Sequence, residues 1–312
     1  MIEIQEDLKS VTELAFKAMN TDFYISISNS EVDDWKDQLI EWFSYVDREW
    51  SRFNSDNELA RLNGLTMGQT LTLSQPLFDL LQKAENYRLI TGGRFSPYLA
   101  KQLQYHGYQQ SFPFQNAEPN LQSIGVLVQE CPFLYDASQC TATRKSEGQV
   151  EFGGLGKGYA VEAAMIWLKT QAKANSGMVD GGGDMSLWSD GKKEWNIGIA
   201  DPFDPNRTLR QITLKNGSVA TSNIIYRSWQ QGTEKKHHIL NGITGMPVET
   251  DIIQATVITT NCLDAEVLAK LCFMENPQVL NQSFSNVFRH FEYILVDQNG
   301  DLMISKERGI NG

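Results

Sequence analysis

A glycine-rich turn with one lysine is the segment of this chain whose residue types most directly suggest chemistry. Residues 151–158 read Glu-Phe-Gly-Gly-Leu-Gly-Lys-Gly and precede a helical pattern over residues 159–174. A turn that leads into a helix exposes unpaired backbone N–H groups and the positive end of the helix dipole, and Lys157 adds a full charge. The segment therefore suits a phosphate group, or it is a tight strand-to-helix turn whose glycines serve packing.

The turn matches neither of two common nucleotide-binding signatures. Gly158 follows Lys157 where a P-loop has the Ser or Thr that holds magnesium, and the glycine spacing does not fit Gly-x-Gly-x-x-Gly. The turn alone therefore does not identify a ligand.

Seven further short segments of related character interrupt the hydrophobic pattern, and their order along the chain is informative. They are Met19-Asn20-Thr21, Ser51-Arg52-Phe53-Asn54-Ser55, Thr91-Gly92-Gly93-Arg94-Phe95-Ser96-Pro97, Gly181-Gly182-Gly183-Asp184, Ala220-Thr221-Ser222-Asn223, His237-His238-Ile239-Leu240-Asn241-Gly242-Ile243-Thr244-Gly245 and Asp264-Ala265-Glu266. Together with the turn, over about residues 15–296, they resemble the FAD:protein FMN transferase family, also called the ApbE family.

The resemblance implies an enzyme that holds FAD, cleaves its diphosphate with the aid of Mg²⁺ and transfers the FMN half to a Ser or Thr of another protein, with release of AMP. Such a reaction needs an apolar or aromatic slot for the flavin, cations near the diphosphate and a base near the acceptor hydroxyl. The acceptor pattern of the family, Asp-Gly-x-Ser/Thr-Gly-Ala-Ser/Thr, is absent from this chain. The acceptor is therefore expected to be a separate protein.

Five residues fall at positions where the resemblance implies contacts to the flavin dinucleotide. Met19 and Phe53 match flavin contacts, with packing in the core as the alternative for each. Arg94, Phe95 and Ser96 match a dinucleotide contact in which Ser96 replaces the usual Asp. That replacement weakens one expected hydrogen bond.

Three titratable residues complete the implied FAD site. Glu151 stands where the family usually has Asp, and Lys157 matches a position that contacts FAD. His238 precedes Ile-Leu-Asn and is expected to contact the diphosphate or to accept a proton as a catalytic residue. The alternatives are a surface carboxylate for Glu151, a structural role for Lys157 and a solvent-facing histidine for His238.

The implied metal site is the place where the chain departs most from the family. Gly154 matches a residue whose backbone carbonyl binds the metal, and Asp264 matches the magnesium carboxylate, with a catalytic role. The family has a second side-chain oxygen four residues after this Asp, on the same helix face. Here that position is Leu268, which cannot bind magnesium. Asp264 could also be a plain helix cap, and water could replace the missing oxygen.

Leu268 leaves three functional hypotheses open. The first is a magnesium-dependent transferase with FAD as donor. The second is a protein that binds FAD or FMN but transfers nothing, and the third is an FAD pyrophosphatase in which water takes the place of the acceptor.

Composition excludes one large class of partner. The net charge of −11 argues against a nucleic-acid surface, which needs clustered Lys and Arg. The sequence has no run of about 18 apolar residues and begins without the basic and apolar regions of a signal peptide. These features predict a cytoplasmic protein that is not inserted into a membrane.

The hydrophobic patterns predict the elements that must position these residues. Strands are expected at residues 23–27, 185–188, 195–199, 209–214, 252–259, 293–296 and 302–305, and helices at residues 32–50, 75–91, 159–174 and 263–274. Because strands and helices do not alternate strictly, we expect an α+β (mixed α/β) fold with mixed or antiparallel sheets flanked by helices. No linker divides the chain, so residues 1–312 are expected to form one domain.

Overall fold

The computed structural model describes residues 11–118, 124–288 and 290–305. Its helices are α1 (Trp35–Glu49), α2 (Glu58–Asn63), α3 (Gln75–Ile90), α4 (Ala100–Tyr105), α5 (Gly156–Thr170), α6 (Cys262–Leu271) and α7 (Pro277–Phe284). Its strands are β1 (Val11–Ala18), β2 (Thr21–Ser28), β3 (Thr70–Thr72), β4 (Asn116–Ala117), β5 (Phe133–Asp136), β6 (Thr141–Arg144), β7 (Ser176–Gly181), β8 (Asp184–Trp188), β9 (Trp195–Ala200), β10 (Thr208–Leu214), β11 (Gly217–Asn223), β12 (Ser228–Gln231), β13 (Glu234–His237), β14 (Ile252–Thr259), β15 (Glu292–Asp297) and β16 (Leu302–Ile304).

An eight-stranded sheet forms the centre of the fold. Its strand order is β1-β2-β7-β8-β11-β14-β15-β16, and every neighbouring pair is antiparallel. The smaller sheets are β3-β6-β5, the ribbon β9-β10, and β13-β12-β4, in which β12 and β4 run parallel. The predicted α+β architecture with antiparallel and mixed sheets is confirmed.

The two faces of the central sheet carry different layers. Helices α5 and α6 pack on one face, against β7, β8, β11 and β14, and α1 packs against α5. The other face carries the ribbon β9-β10. On β14, Val257 belongs to the helix-side core and Ile258 to the ribbon-side core, since successive strand residues point to opposite faces. Burial on both faces explains why residues 252–259 are apolar or β-branched except for Gln254.

Helix α5 begins at Gly156, three residues earlier than the pattern predicted. Gly156 and Gly158 thus belong to the first turn of the helix, whereas Gly153 and Gly154 precede it. A Cβ atom on Gly158 would lie 2.6 Å from Oε2 of Glu266 and 3.2 Å from the carbonyl oxygen of Cys262. Gly158 therefore lets α5 approach α6 closely, so that packing accounts for this glycine.

Helix α3 starts as predicted. The hydroxyl of Ser74 accepts a hydrogen bond from the backbone N–H of Leu77, and Pro76 lies in the first turn. None of the described helices is long and apolar enough to span a membrane.

Candidate functional site

A cavity of about 400 Å³ lies beside the start of α5 and is a typical size for a small-molecule site. Eight of the ten predicted site residues line it, namely Met19, Phe53, Phe95, Ser96, Glu151, Gly154, Lys157 and His238. Arg94 and Asp264 are not part of the lining. The fold therefore brings most of the predicted residues to one place, although they come from distant segments of the chain.

The turn between β1 and β2 places Met19 in the cavity wall. Met19 and Asn20 both have positive φ, at 49° and 58°, as a two-residue hairpin turn requires. The Met19 methyl group lies 3.7 Å from the position that a Cβ atom of Gly156 would take. The tight turn thus aims a flexible apolar side chain at the start of α5.

An arginine lies between two aromatic rings at the edge of the cavity. The guanidinium carbon of Arg52 is 4.2 Å from the centroid of the Phe53 ring and 4.4 Å from that of Tyr108, distances typical of cation–π contacts. Phe53 is 40% exposed, so it is not a core residue. The interpretation of Phe53 as core packing is therefore wrong, and its ring is available to a ligand.

Arg52 also carries an unused donor. Its Nη2 atom is buried and has no hydrogen-bond partner among the described residues. Burial lowers the pKa of Arg52, while the charge of Glu151 acts in the opposite direction. An unpartnered buried guanidinium nitrogen normally needs an acceptor. The sequence motif contained Arg52, but the pattern gave no sign that its side chain belonged to the site.

Glu151 is buried, so the alternative of a surface carboxylate is wrong. Its Oε2 atom accepts a hydrogen bond of 2.8 Å from the backbone N–H of Gly153. Three hydrogen bonds hold the backbone at Glu151 in place. The Asn63 side chain donates to the carbonyl of Val150 and accepts from its N–H group, and the Glu151 N–H donates to the carbonyl of Pro97. Burial raises the pKa of the Glu151 carboxyl, and the Arg52 charge partly opposes this.

The glycine-rich turn has fewer free backbone donors than its sequence suggested. The N–H groups of Leu155 and Gly156 both donate to the carbonyl oxygen of Phe152. The N–H of Gly158 donates to Oε2 of Glu266 at 2.9 Å. An anion in the cavity must therefore depend more on charged side chains than on the N-terminal donors of α5.

Lys157 is paired with carboxylates inside the protein. Its ammonium group forms an ion pair with Asp184, and Oε1 of Glu266 is 3.9 Å away. Burial lowers the pKa of Lys157, and the charge of Glu266 opposes that shift. Lys157 lines the cavity as predicted, but internal carboxylates already offset much of its charge.

Lys270 of α6 is a cavity residue that the sequence analysis did not identify. Its side chain is only 13% exposed, and its Nζ atom lies 3.4 Å from Oε1 of Glu266. Its Cε atom is 3.2 Å from the position that a Cβ atom of Gly154 would take. The available signal was a Glu-to-Lys pair at spacing i, i+4 in an otherwise apolar helix.

His238 lies in the cavity wall beside Arg227. Its Nδ1 atom is 3.2 Å from the backbone carbonyl oxygen of Arg227. Because a carbonyl can only accept, Nδ1 carries the proton and Nε2 keeps a lone pair. Burial, together with the charge of Arg227, lowers the pKa of His238 to about 3. The histidine is therefore a neutral acceptor, and its side chain is half-buried in the cavity wall rather than fully exposed to solvent.

Arg94 points to a different part of the molecule from Phe95 and Ser96. Its Nε atom forms an ion pair with Glu275, and its guanidinium lies 5.9 Å from the ring centroid of Phe284. Phe95 and Ser96 are buried and line the cavity. The Arg94 side chain therefore does not line the cavity, and a contact between Arg94 and a dinucleotide stays a prediction.

Asp264 lies in the first turn of α6, and both of its carboxylate oxygens have protein donors. Oδ1 accepts a hydrogen bond of 2.7 Å from the hydroxyl of Tyr87, and Oδ2 accepts one of 2.6 Å from Nδ2 of Asn261. The helix cap is Asn261, whose side chain accepts the backbone N–H of Asp264. Asp264 is thus neither the cap nor a cavity residue.

The residues present do not fit a magnesium ion held in the expected way. Leu268 is fully buried in the core and offers no oxygen. Among the described residues, no group of three or more His, Cys, Asp or Glu side chains is arranged to hold a metal ion. The ammonium group of Lys270 lies on the Gly154 side of the cavity, where a second cation would be repelled. These residues therefore do not provide the oxygen ligands that the predicted magnesium site at Gly154 and Asp264 would need.

The amino-acid sequence is similar to those of proteins named FAD:protein FMN transferase. A chain named FAD:protein FMN transferase from Klebsiella pneumoniae (strain 342) is 24% identical over 226 residues, which cover 70% of this chain and 68% of the relative. A second from Chlamydia muridarum (strain MoPn / Nigg) is 26% identical over 252 residues, which cover 78% and 77%.

Solved structures share the fold. The ApbE protein of Thermotoga maritima MSB8 has a TM-score of 0.80 and 22% identity, covering 95% of this chain and 97% of its own. The apo form of the Pseudomonas stutzeri flavinyl transferase ApbE has a TM-score of 0.78 and 18% identity, with coverage of 96% and 95%.

The ApbE family model matches residues 19–291. This range includes every residue that lines the cavity. The chain therefore belongs to the ApbE family.

Proposed function

We propose that this protein transfers FMN from FAD to the hydroxyl of a Ser or Thr residue in a separate acceptor protein and releases AMP. The relatives named FAD:protein FMN transferase support the donor and the transferred group. The expected acceptor carries the pattern Asp-Gly-x-Ser/Thr-Gly-Ala-Ser/Thr.

The observation that carries the proposal is the composition of one cavity. An exposed aromatic ring (Phe53) offers a surface for the isoalloxazine, and cationic groups of Arg52, Arg227 and Lys270 lie in the same lining. His238 supplies a neutral nitrogen acceptor. FAD has a flat apolar ring system that suits the Phe53 surface and a doubly charged diphosphate that suits the cationic groups.

The transfer step makes one bond and breaks one. The acceptor Oγ atom attacks the phosphorus on the FMN side of the diphosphate and forms a P–O bond. The P–O bond to the bridging oxygen breaks, and AMP leaves with that oxygen and its negative charge. The hydroxyl proton passes to a base, and the neighbouring cations stabilise the charge that develops on the departing phosphate.

We assign the base to Nε2 of His238. The hydrogen bond from Nδ1 to the Arg227 carbonyl fixes the tautomer that leaves Nε2 unprotonated. The anionic diphosphate raises the basicity of a nearby imidazole, since it stabilises the imidazolium. His238 thus combines a fixed orientation with a proton affinity that increases when FAD is bound.

Magnesium is the cofactor that the resemblance implies, and in such reactions it neutralises charge on phosphoryl oxygens. Leu268 offers no oxygen, and both carboxylate oxygens of Asp264 accept hydrogen bonds from protein groups, so these two positions leave an incomplete set of ligands for the ion.

The test is covalent flavin transfer with purified components. Protein, FAD and an acceptor with the stated pattern should yield an acceptor that fluoresces as a flavin in a denaturing gel, together with AMP. Replacing the acceptor Ser or Thr with Ala should abolish labelling, and His238→Gln should slow it by about 100-fold or more, as expected for loss of a general base.

The buried Leu268 favours a second candidate, a flavin-binding protein without transferase activity. FAD binding with an unlabelled acceptor and no AMP would support that candidate. Release of FMN and AMP without any acceptor would instead indicate a pyrophosphatase.

A further inference from the structure

Lys270 occupies an unusual position for a lysine in an apolar helix. Its helix neighbours Val267, Leu268, Ala269 and Leu271 are all fully buried, yet the Lys270 side chain extends to the cavity beside Gly154. Nζ donates to the backbone carbonyl of Glu266 at 3.1 Å, which uses one of its three donors.

Glu266 is shared between two ammonium groups. Its side chain is 2% exposed, and its Oε1 atom lies 3.4 Å from Nζ of Lys270 and 3.9 Å from Nζ of Lys157. Lys157 has a second partner in Asp184. Among the described residues, no carboxylate other than Glu266 lies within ion-pair distance of Lys270. Lys270 therefore keeps more uncompensated charge than Lys157 does.

The oxygen ligands expected for a divalent cation are lacking in the same region. Position 268 holds a core leucine, and Asp264 accepts hydrogen bonds from Tyr87 and Asn261. Positive charge is nevertheless required there if the cavity holds a diphosphate, because two adjacent phosphoryl groups repel each other in a partly desolvated site. A fixed ammonium group can meet this requirement as a point charge.

We infer that Lys270 takes the place of magnesium in this chain and contacts the diphosphate of bound FAD, so that FAD binding does not require a metal ion. This inference rests on the proposed use of FAD. Because Lys270 is a residue of α6, its positive charge is present in the cavity before the ligand binds.

The direct test is the affinity of the wild-type protein for FAD with EDTA and with added MgCl₂, followed by flavin fluorescence. We expect the dissociation constants to agree within about twofold. A tightening of about tenfold or more by magnesium would overturn the inference, and no substitution is needed for this comparison.

Substitutions then locate the charge. Lys270→Met keeps the length of the side chain and should weaken FAD by about tenfold or more, while riboflavin, which has no phosphate, should bind as before. Lys270→Arg should keep most of the FAD affinity. Lys169→Met is the matched control, because Lys169 is exposed in the last turn of α5 and should change neither ligand.

Equal weakening of FAD and riboflavin by Lys270→Met would also overturn the inference, since it would indicate a general disturbance of the cavity. Metal-independent FAD binding without labelling of an acceptor would uphold the inference and defeat the proposed transfer. Labelling of the acceptor, together with FAD binding that magnesium strengthens, would defeat the inference and uphold the proposed transfer.

Discussion

His238 illustrates how burial and one hydrogen bond define the role of a residue. The sequence placed it before Ile-Leu-Asn but left open whether it faced solvent. The structure puts its ring beside Arg227, where burial holds the pKa at about 3. Because the unfolded chain has an ordinary histidine, the folded protein binds fewer protons than the unfolded one below about pH 6.5.

The free energy of unfolding should therefore decrease as the pH falls below about 6.5, because protons bind to His238 in the unfolded chain but not in the folded protein. Between pH 6.5 and pH 3, wild type should lose stability relative to His238→Gln, whereas above pH 7 this contribution disappears. Thermal unfolding at a series of pH values measures the difference in Tm. His290→Gln, at an exposed position, is the control. A difference between wild type and His238→Gln that stays constant from pH 8 to pH 5 would contradict the assignment.

Phe53 should contribute to flavin binding through its ring alone. Phe53→Ala removes a partly exposed aromatic surface, so riboflavin and FAD should weaken together, by about tenfold, with little change in Tm. Fluorescence titration measures both ligands. The exposed Phe203 gives the matched control Phe203→Ala, which should leave both affinities unchanged. Loss of FAD binding without loss of riboflavin binding would show that Phe53 does not contact the ring.

Among the structural elements, those with strong local signals were predicted best. The run of β-branched and apolar residues gave β14 its correct bounds, and Ser74 with Pro76 gave the start of α3. Strand β1 was missed, because it lies at the sheet edge with all its residues except Ala18 exposed or half-buried, and its pairing with β2 is a tertiary property.

The start of α5 depends on a contact that no local pattern contains. Gly158→Ala would place a Cβ atom against the Glu266 carboxylate and the carbonyl of Cys262, so the carboxylate must leave its position or α5 and α6 must separate. We expect a loss of about 1–3 kcal/mol in the free energy of unfolding, measured by chemical denaturation. Gly198→Ala on β9 is the control, since its Cβ atom would meet only Thr208 at ordinary contact distances. Equal effects of the two substitutions would contradict this packing argument.

The whole molecule is acidic, yet its cavity gathers cations. The net charge of −11 argues against a nucleic-acid surface, but it does not show where individual charged side chains lie. Arg52, Arg227 and Lys270 come from three distant segments, and only the fold brings them together. The sequence could identify the motif residues through a family resemblance, whereas it could not show that Lys270 reaches Gly154 or that Asp264 is engaged by Tyr87.

The intact mass of an acceptor protein after incubation with this chain and FAD tests the central claim most directly. Parallel reactions with EDTA and with MgCl₂ separate the transfer itself from any need for a metal ion. We expect the acceptor to gain the mass of FMN less one water in both reactions, at its Ser or Thr alone, with one AMP released for each FMN attached. An acceptor of unchanged mass in both reactions, beside a chain that still binds FAD, would contradict the assignment as a transferase.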